Sequence, residues 1–225
     1  MRIAIIVAMS KELALLEPLL GGRQKRQAGG QAYTFGQAAG HTVAAMECGI
    51  GKVNAALGAY ALISAFKPDL VISTGVAGGA DKRVNVMDVV VADQTAYHDV
   101  WCGPGTVHGE ASGMPLYMES CHEVTSLLPE SDTVKHGLIC SGDSFIDSIE
   151  QVNNIKCRFP QALAVDMESA AIAHVCHRLG VKFFGLRVIS DSPGASRDNA
   201  AQYEDFWTAA PGHTFEIVRH LLTLL

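Results

Sequence analysis

Short apolar runs that end in glycine or an acidic residue recur along this chain, and they restrict its fold more than any other feature. Met1 to Met9 reads MRIAIIVAM, Asp69 to Thr74 reads DLVIST, and Lys182 to Ser190 reads KFFGLRVIS. Short runs rich in Ile, Val and Phe, bounded by turn-forming residues, are typical of buried strands. The sequence therefore predicts a sheet at the centre of the molecule.

Weaker strand patterns add to this sheet. They are YTFGQ and HTVAAMEC within about 31–48, joined at Ala39-Gly40, and the segments Asn85 to Asp93, Val134 to Cys140 and Ala162 to Val165. A glycine between two short strands suits a hairpin turn. Such hairpin-like pairs favour a mixed sheet over a purely parallel one.

Helical patterns lie between the strands. They are SKELALLEPL with Ser10 as the N-cap, KVNAALGAYALISAF after Gly51, MESAAIAHVCHRLG closed by Gly180, and the C-terminal PGHTFEIVRHLLTLL. Leucines at helical spacing after a serine indicate a helix start, and a glycine commonly ends a helix. Strands that alternate with helices predict one α/β domain over residues 1–225, with helices on both faces of the sheet.

Composition and charge exclude several classes of protein. The 225 residues carry a formal net charge of -6, and no Lys and Arg cluster is present to bind phosphates, so we expect no nucleic-acid partner. The apolar start is too short to cross a bilayer and is followed by Lys11 and Glu12. We expect a buried strand there, no membrane partner and a cytoplasmic protein.

The six cysteines are widely spaced, with no CxxC pair, and we expect free thiols. His174, Cys176 and His177 lie close together, but a single cluster without further ligands is weaker support for a metal than helix packing is. We expect no metal.

Two glycine-rich segments bear on nucleotide binding. The pattern predicts that Gly75 to Gly79 (GVAGG) is a loop at the carboxyl end of a buried strand, which is where open α/β sheets bind ligands. It lacks the spacing of GxGxxG, and Gly49-Ile50-Gly51-Lys52 is too short for a P-loop. These segments argue against kinases and dehydrogenases. A third glycine-rich segment, Val100 to Pro115, is either a surface excursion or part of an active site or interface.

Three acidic residues follow predicted strands: Glu12, Glu168 and Asp191. Each alone is explained by the preference of acids for helix N-termini. Strands that end on one edge of a sheet would, however, bring all three into one crevice. Two carboxyl groups in different environments can divide the acid and base roles of a glycosidic cleavage.

Seven segments in order carry a resemblance to a known family. They are AMSKEL around Glu12, CGIGKVNAA at 48–56, STGVAGG at 73–79, DVVVAD followed by YHD at 97–99, SGDSFI at 141–146, VDMESAAIAHV at 165–175 and RVISD at 187–191. The chain resembles the nucleoside phosphorylase superfamily and, within it, the methylthioadenosine/S-adenosylhomocysteine nucleosidases. The resemblance implies a three-layer αβα sandwich around a mixed, partly barrel-like sheet, a homodimer, hydrolysis of 5'-thio-substituted adenosines to adenine and the thioribose, and no cofactor.

The resemblance also implies catalytic roles. Asp191 would donate a proton toward N7 of the departing purine, and Ser190 would hold its side chain. Glu12 would orient and deprotonate the attacking water. Glu168 would hold the ribose hydroxyls, and Met167 would pack beneath the sugar. Protonation removes the charge that develops on a purine leaving group, so these roles agree with general acid-base catalysis.

Further positions are implied to contact the nucleoside. Phe145 would stack on the base, Ile146 would offer backbone hydrogen bonds to its edge, and Ile50 would line the pocket for the 5' substituent. Ala77 and Gly78 of the glycine-rich segment would also contact the substrate. Arg187 would pair with Glu12 or Asp166. Tyr203 or Phe206 is expected to close over the ribose.

The residues leave open whether water or phosphate is the nucleophile. Hexameric purine phosphorylases, which resemble this chain, carry an Arg and a Ser where Ser73 and Val76 stand here, and Glu12 would repel a phosphate dianion. Two departures from the nucleosidase pattern are Val76 for Ser and Asp166 for Glu. A futalosine-type hydrolase, a purine nucleoside phosphorylase and a non-enzymatic nucleoside-binding protein stay as alternatives.

Overall fold

A computed structural model describes residues 1–193, 199–209 and 213–225. Within these ranges lie eleven strands: β1 (Arg2–Val7), β2 (Gly21–Ala28), β3 (Gln31–Ala38), β4 (His41–Glu47), β5 (Leu70–Ser73), β6 (Val76–Gly79), β7 (Val89–Tyr97), β8 (Met118–Glu119), β9 (Val134–Ser141), β10 (Ala162–Asp166) and β11 (Lys182–Asp191). The α-helices there are α1 (Ser10–Leu16), α2 (Lys52–Phe66), α3 (His122–Thr125), α4 (Ile149–Arg158), α5 (Ser169–Leu179), α6 (Asn199–Ala209) and α7 (His213–Leu224).

The strands form a single mixed sheet, in the order β2-β3-β4-β1-β5-β11-β6-β10-β9-β7-β8. Strand β1 pairs in parallel with β4 and β5, whereas β2, β3 and β4 form antiparallel pairs. Strand β11 also pairs with β7, antiparallel to it. This pairing closes β11, β6, β10, β9 and β7 into a barrel, as the family resemblance implied.

Helices cover both faces of the open part of the sheet. On β1, Ala4 and Ile6 face a core that includes Leu62 of α2 and Ile172 of α5. The alternate residues, such as Ile5, face a second core that includes Leu221 of α7. Side chains of a strand point alternately to opposite faces. The continuous apolar run of β1 therefore places buried side chains on both faces of the sheet. The three-layer αβα sandwich with a mixed sheet is confirmed.

Three local predictions need correction. Residues 76–79 were predicted as a loop, but they form strand β6, which is paired on both sides, with β10 and β11. The strand predicted at 85–93 runs instead from Val89 to Tyr97, because a turn in which the Asp88 N–H donates to the Asn85 carbonyl precedes it. Met9, and not Ser10, is the N-cap of α1.

Other predictions agree with the structure. Helix α2 spans the predicted residues, and Ala39 and Gly40, both with positive φ, form the turn between β3 and β4. Residues 100–115 contain neither helix nor strand. Among the described residues, no helix is long and apolar enough to cross a membrane.

Candidate active site

A pocket of about 660 Å³, which includes the space at its mouth, lies where several loops meet at strand ends. Eleven site residues proposed from the sequence line it: Glu12, Ile50, Ala77, Gly78, Phe145, Ile146, Met167, Glu168, Arg187, Ser190 and Asp191. The other lining residues are Ala8, Met9, Thr74, Gly75, Val76, Ser144, Val165, Asp166 and Tyr203. The fold therefore gathers residues from separate segments into one cavity.

Strand pairing explains this convergence. Gly78 on β6 pairs with Asp191 on β11 at one side and with Val165 on β10 at the other. The end of β10 leads directly to Glu168. On the far side of β11, the paired strands β1 and β5 both end close to the pocket, since Ile6 lies opposite Ser73.

Glu12 lies in the first turn of α1 and is 1% exposed. Its Oε2 accepts hydrogen bonds from the N–H groups of Ala8 and Met9, each at 3.0 Å, and its Oε1 accepts one from the Val76 N–H at 3.2 Å. Gly75 makes room for this carboxylate, because a Cβ there would lie 2.5 Å from Oε1. A side chain at residue 75 would therefore displace Glu12.

Burial and the neighbouring groups shift the pKa of the Glu12 carboxyl in opposite directions. Burial raises the pKa of the Glu12 carboxyl, against the positive charge of Arg187 and three backbone hydrogen bonds, which lower it. Burial dominates, and the pKa is raised above its ordinary value. A carboxylate with a raised pKa is a stronger base than one in water, and the backbone donors fix its direction.

Glu168 precedes α5 and is also buried. Its Oε1 accepts a hydrogen bond of 2.8 Å from the Gly51 N–H. Burial, together with the negative charge of Asp166, raises the pKa of the Glu168 carboxyl. A buried acceptor that points into a pocket suits hydroxyl groups of a ligand.

Asp166 and Arg187 form a buried ion pair behind these carboxylates. The Arg187 Nε lies 2.9 Å from Asp166 Oδ2, and Arg187 Nη2 donates to the Ser73 hydroxyl at 3.0 Å. The hydroxyls of Ser141 and Ser169 each donate to Asp166 at 2.5 Å. Of the two partners predicted for Arg187, the structure pairs it with Asp166, while Glu12 interacts with it through space.

Asp191 ends β11 and is 2% exposed. The Ser190 hydroxyl donates to Asp191 Oδ1 at 2.6 Å and lies 3.3 Å from the Ala77 carbonyl oxygen. The serine therefore connects the Asp191 carboxyl to strand β6. The pocket thus holds Glu12 and Asp191 on different elements, each fixed by hydrogen bonds.

The mouth of the pocket is apolar and open. Ile50 is 53% exposed and Phe145 is 50% exposed, whereas Ile146 is buried. The Tyr203 ring meets the Phe145 ring edge-on at 6.1 Å, and the Tyr203 hydroxyl lies 3.3 Å from the Met9 sulfur. Of the two candidates for closing over the ribose, Tyr203 lies at the pocket, while Phe206 is wrong because its side chain is buried in the core beside α7.

The sequence reasoning missed Thr74 and Met9 as lining residues. Thr74 is 1% exposed, and its hydroxyl has no hydrogen-bond partner among the described residues. It follows β5 within the STGVAGG segment, so its position at a strand end beside glycine was the available signal. An unsatisfied buried hydroxyl at a pocket wall suits a polar group of a ligand.

The described residues contain no group of three or more His, Cys, Asp or Glu side chains suited to a metal ion. In the cluster at 174–177, the Cys176 side chain is fully buried in the core, and the His174 Nδ1 lies 3.1 Å from the Tyr97 hydroxyl. These contacts give the cluster a packing role.

Comparison with known proteins agrees with this fold and pocket. The family model described as the phosphorylase superfamily matches residues 2–223, which defines the class of protein. A methylthioadenosine/S-adenosylhomocysteine nucleosidase from Actinobacillus succinogenes is 38% identical over the whole of both chains. The chain therefore belongs to the methylthioadenosine/S-adenosylhomocysteine nucleosidase family within that superfamily, and it is a hydrolase of N-glycosyl bonds.

Solved structures support the same relationship. A nucleosidase of this family from S. pneumoniae, with a transition-state inhibitor, superposes with a TM-score of 0.92 at 35% identity and covers 100% of this chain and 99% of that one. A futalosine hydrolase mutant from Helicobacter pylori superposes with a TM-score of 0.91 at 27% identity, covering 100% and 99% of the two chains. The futalosine hydrolases are thus the more distant of the two.

Proposed function

We propose that this enzyme hydrolyses the N-glycosidic bond of 5'-methylthioadenosine and S-adenosylhomocysteine, releasing adenine and the 5'-thioribose, with Glu12 and Asp191 as its catalytic residues. The observation that carries the proposal is the placement of these two buried carboxyl groups on separate elements of one pocket. One serves the leaving group and the other serves the nucleophile. A third carboxyl, Glu168, is available for the sugar between them.

Asp191 is the general acid. Its carboxyl donates a proton toward N7 of adenine as the bond to ribose lengthens, which removes the charge that develops on the base. Ser190 fixes the carboxyl by its 2.6 Å hydrogen bond, so the donor approaches from one direction. Ala77 and Gly78 of β6 support the same side of the pocket.

Glu12 is the general base. Its three backbone hydrogen bonds hold the carboxylate, and the raised pKa favours proton uptake from a water molecule that attacks the anomeric carbon. The Arg187 guanidinium, itself held by Asp166 and Ser73, stabilises negative charge on this side of the pocket. The sugar develops oxocarbenium character between the two carboxyl groups.

The remaining lining residues bind the nucleoside. Glu168 accepts hydrogen bonds from the ribose hydroxyls, with Met167 beneath the sugar. Phe145 stacks on adenine, and the backbone of Ile146 bonds to its edge. Ile50 forms an apolar wall for the 5' thioether at the mouth.

Water is the nucleophile in this proposal. Phosphate is a dianion, and the buried carboxylate of Glu12 in the same pocket would repel it. Arg187 is already engaged by Asp166, with Ser73 as a second partner, which leaves its charge largely neutralised. A phosphorylase would need a free cation at this place.

The active form proposed is a homodimer. Val53, Leu57 and Tyr60 lie at i, i+4 and i+7 on α2 and are 69%, 60% and 58% exposed. They continue from Ile50 at the mouth, and exposed apolar surface of this kind marks interfaces. A second copy is the occupant of this surface.

Sedimentation equilibrium at micromolar concentration tests the dimer. The unmodified chain should have twice the monomer mass, and Leu57→Glu should have the monomer mass. Leu179→Glu, at another exposed leucine, is the control and should keep the dimer. A monomeric unmodified chain would contradict the proposal.

We further propose a cytoplasmic location. All six cysteines are free, which fits a reducing compartment. Fractionation of cells that produce the chain should recover it with cytosolic marker enzymes. Recovery with secreted or envelope proteins would contradict this location.

The reaction is tested by measuring free base from methylthioadenosine, S-adenosylhomocysteine, adenosine, inosine and futalosine, each with and without phosphate. The proposal expects adenine from both thio-nucleosides without phosphate. Preference for futalosine would assign the chain to the futalosine-type hydrolases. Strict dependence on phosphate would make it a phosphorylase, and binding without base release would make it a nucleoside-binding protein.

A further inference from the structure

Three charged side chains outside the pocket join the two segments that carry its mouth residues, Ile50 and Phe145, to a third loop. Lys52 is the first residue of α2, Asp99 follows β7, and Asp143 follows β9. Lys52 Nζ lies 2.6 Å and 2.7 Å from the two carboxylate oxygens of Asp99, and 3.7 Å from Asp143 Oδ2. We call these three residues the loop clamp.

Backbone groups reinforce the loop clamp. The Lys52 N–H donates to Asp143 Oδ1 at 2.7 Å, and the Asp143 N–H donates to Asp99 Oδ2 at 2.8 Å. Lys52 and Asp143 therefore take part through both side chain and main chain, and Asp99 takes part through its carboxylate. Such a closed set of bonds fixes the separation of the loops more tightly than a single ion pair would.

The loop clamp adjoins residues that line the pocket. Immediately before Lys52, the Gly51 N–H donates to Glu168, and Ile50 lines the mouth. Two residues after Asp143, Phe145 also lines the pocket. A shift of either loop would move an apolar wall, and a shift of the first loop would also lengthen the hydrogen bond to Glu168.

We propose that Lys52, together with Asp99 and Asp143, is a positioning residue that sets the width of the pocket mouth and the direction of the Glu168 carboxylate. The inference rests on the roles proposed for Glu168 and Phe145. Without the ammonium group, the carboxylates of Asp99 and Asp143 repel each other and the two loops part. Small displacements of substrate-positioning groups lower turnover strongly, whereas ion pairs near the surface add little to stability.

Lys52→Met keeps the length of the side chain and removes its charge. With methylthioadenosine, we expect KM to rise and kcat/KM to fall by roughly ten- to a hundredfold, with little change in the thermal midpoint. Lys52→Arg should restore most of the loss, because a guanidinium can still bridge the two carboxylates. Asp99→Asn should act in the same direction as Lys52→Met, and the double variant should be no worse than the worse single variant.

Lys156→Met is the matched control. Lys156 lies 2.5 Å from Asp81, and the side chains of this pair are 23% and 13% exposed, against 20% and 28% for Lys52 and Asp99. Neither Lys156 nor Asp81 lines the pocket. This variant should keep the KM and kcat of the unmodified enzyme.

The positioning role would be overturned if Lys52→Met and Asp99→Asn had the same KM and kcat as Lys156→Met. Equal losses in all variants together with lowered thermal midpoints would also overturn it, since general destabilisation would then be the cause. Glu168→Gln separates this failure from that of the proposed function. A normal Glu168→Gln enzyme refutes the ribose contact, whereas an impaired Glu168→Gln enzyme beside a normal Lys52→Met enzyme refutes the clamp alone.

Discussion

The deep wall and the mouth of the pocket are built in opposite ways. At the deep wall, Glu12 and Asp191 are 1% and 2% exposed and are fixed by hydrogen bonds to backbone and hydroxyl groups. At the mouth, Ile50 and Phe145 are about half exposed and apolar. The chain's own hydrogen bonds hold the deep wall, whereas in our proposal the mouth gains its packing from the ligand and from a second copy. We therefore expect substitutions at the deep wall to lower mainly kcat, and substitutions at the mouth to raise mainly KM.

The largest effect is expected at Asp191. Asp191→Asn keeps the shape of the side chain and removes the proton donor, so kcat should fall by on the order of 10²–10⁴-fold with KM nearly unchanged. Steady-state release of adenine from methylthioadenosine measures this. A kcat close to that of the unmodified enzyme would remove Asp191 from the chemistry.

Glu12→Gln is expected to follow closely. The substitution removes the proposed base. It also replaces one of the two carboxylate oxygens that accept from backbone N–H groups by an amide NH2, which can only donate. We therefore expect kcat to fall by roughly 10²-fold or more. Calorimetric titration with adenine should still show binding, which would show that the pocket is intact. If turnover persisted, water activation would belong to another group.

Glu168→Gln should affect both parameters. A hydrogen bond to a charged group contributes about 1.5–3 kcal/mol, and kcat/KM should fall accordingly by roughly ten- to a hundredfold, with KM raised and kcat lowered. The ribose contacts that we propose for Glu168 would serve the ground state and the transition state alike. Unchanged KM and kcat would show that Glu168 does not touch the sugar.

At the mouth, Ile50→Ala should raise KM by roughly tenfold and leave kcat unchanged, because burial of each methylene is worth about 0.8 kcal/mol. Ile149→Ala is the control, since Ile149 is equally exposed, at 53%, but does not line the pocket. A loss of kcat in Ile50→Ala would break the division between the deep wall and the mouth.

The smallest effect concerns stability. Burial raises the pKa of Glu168, so the folded chain binds this proton more tightly than the unfolded chain, and the contribution of Glu168 to the free energy of unfolding falls as pH rises above 4.5. The Gln side chain of Glu168→Gln does not titrate, so the variant does not lose this contribution as pH rises. Urea unfolding should therefore show the variant gaining stability relative to the unmodified chain as pH increases, and a constant difference would contradict the raised pKa.

Much of the fold was accessible from the sequence because its central strands are buried on both faces. The continuous apolar runs of β1, β5 and β11 left little choice but a covered sheet. Strand β2 went unpredicted because its residues are polar and mostly exposed, so pairing with β3 defines it. Strand β6 was hidden by its glycines, and only the neighbours on both sides make it a strand.

The candidate site was partly accessible for a different reason. Glu12, Glu168 and Asp191 each follow a strand, so their convergence was predictable from topology. For Arg187, the sequence left two possible partners, Glu12 and Asp166. Choosing between them requires the register of strands β10 and β11, which the sequence does not give. Phe206 and Tyr203 lie on one short helix, and which of them faces the pocket depends on how α6 packs.

The most direct test of the central claim, that water activated by Glu12 attacks while Asp191 protonates the base, is the fate of oxygen in the product. Methylthioadenosine is cleaved in ¹⁸O-labelled water that also contains phosphate, and the sugar product is analysed by mass spectrometry. The account predicts free methylthioribose with the label at its anomeric hydroxyl, formed far more slowly by Glu12→Gln. Methylthioribose 1-phosphate as the product would contradict it.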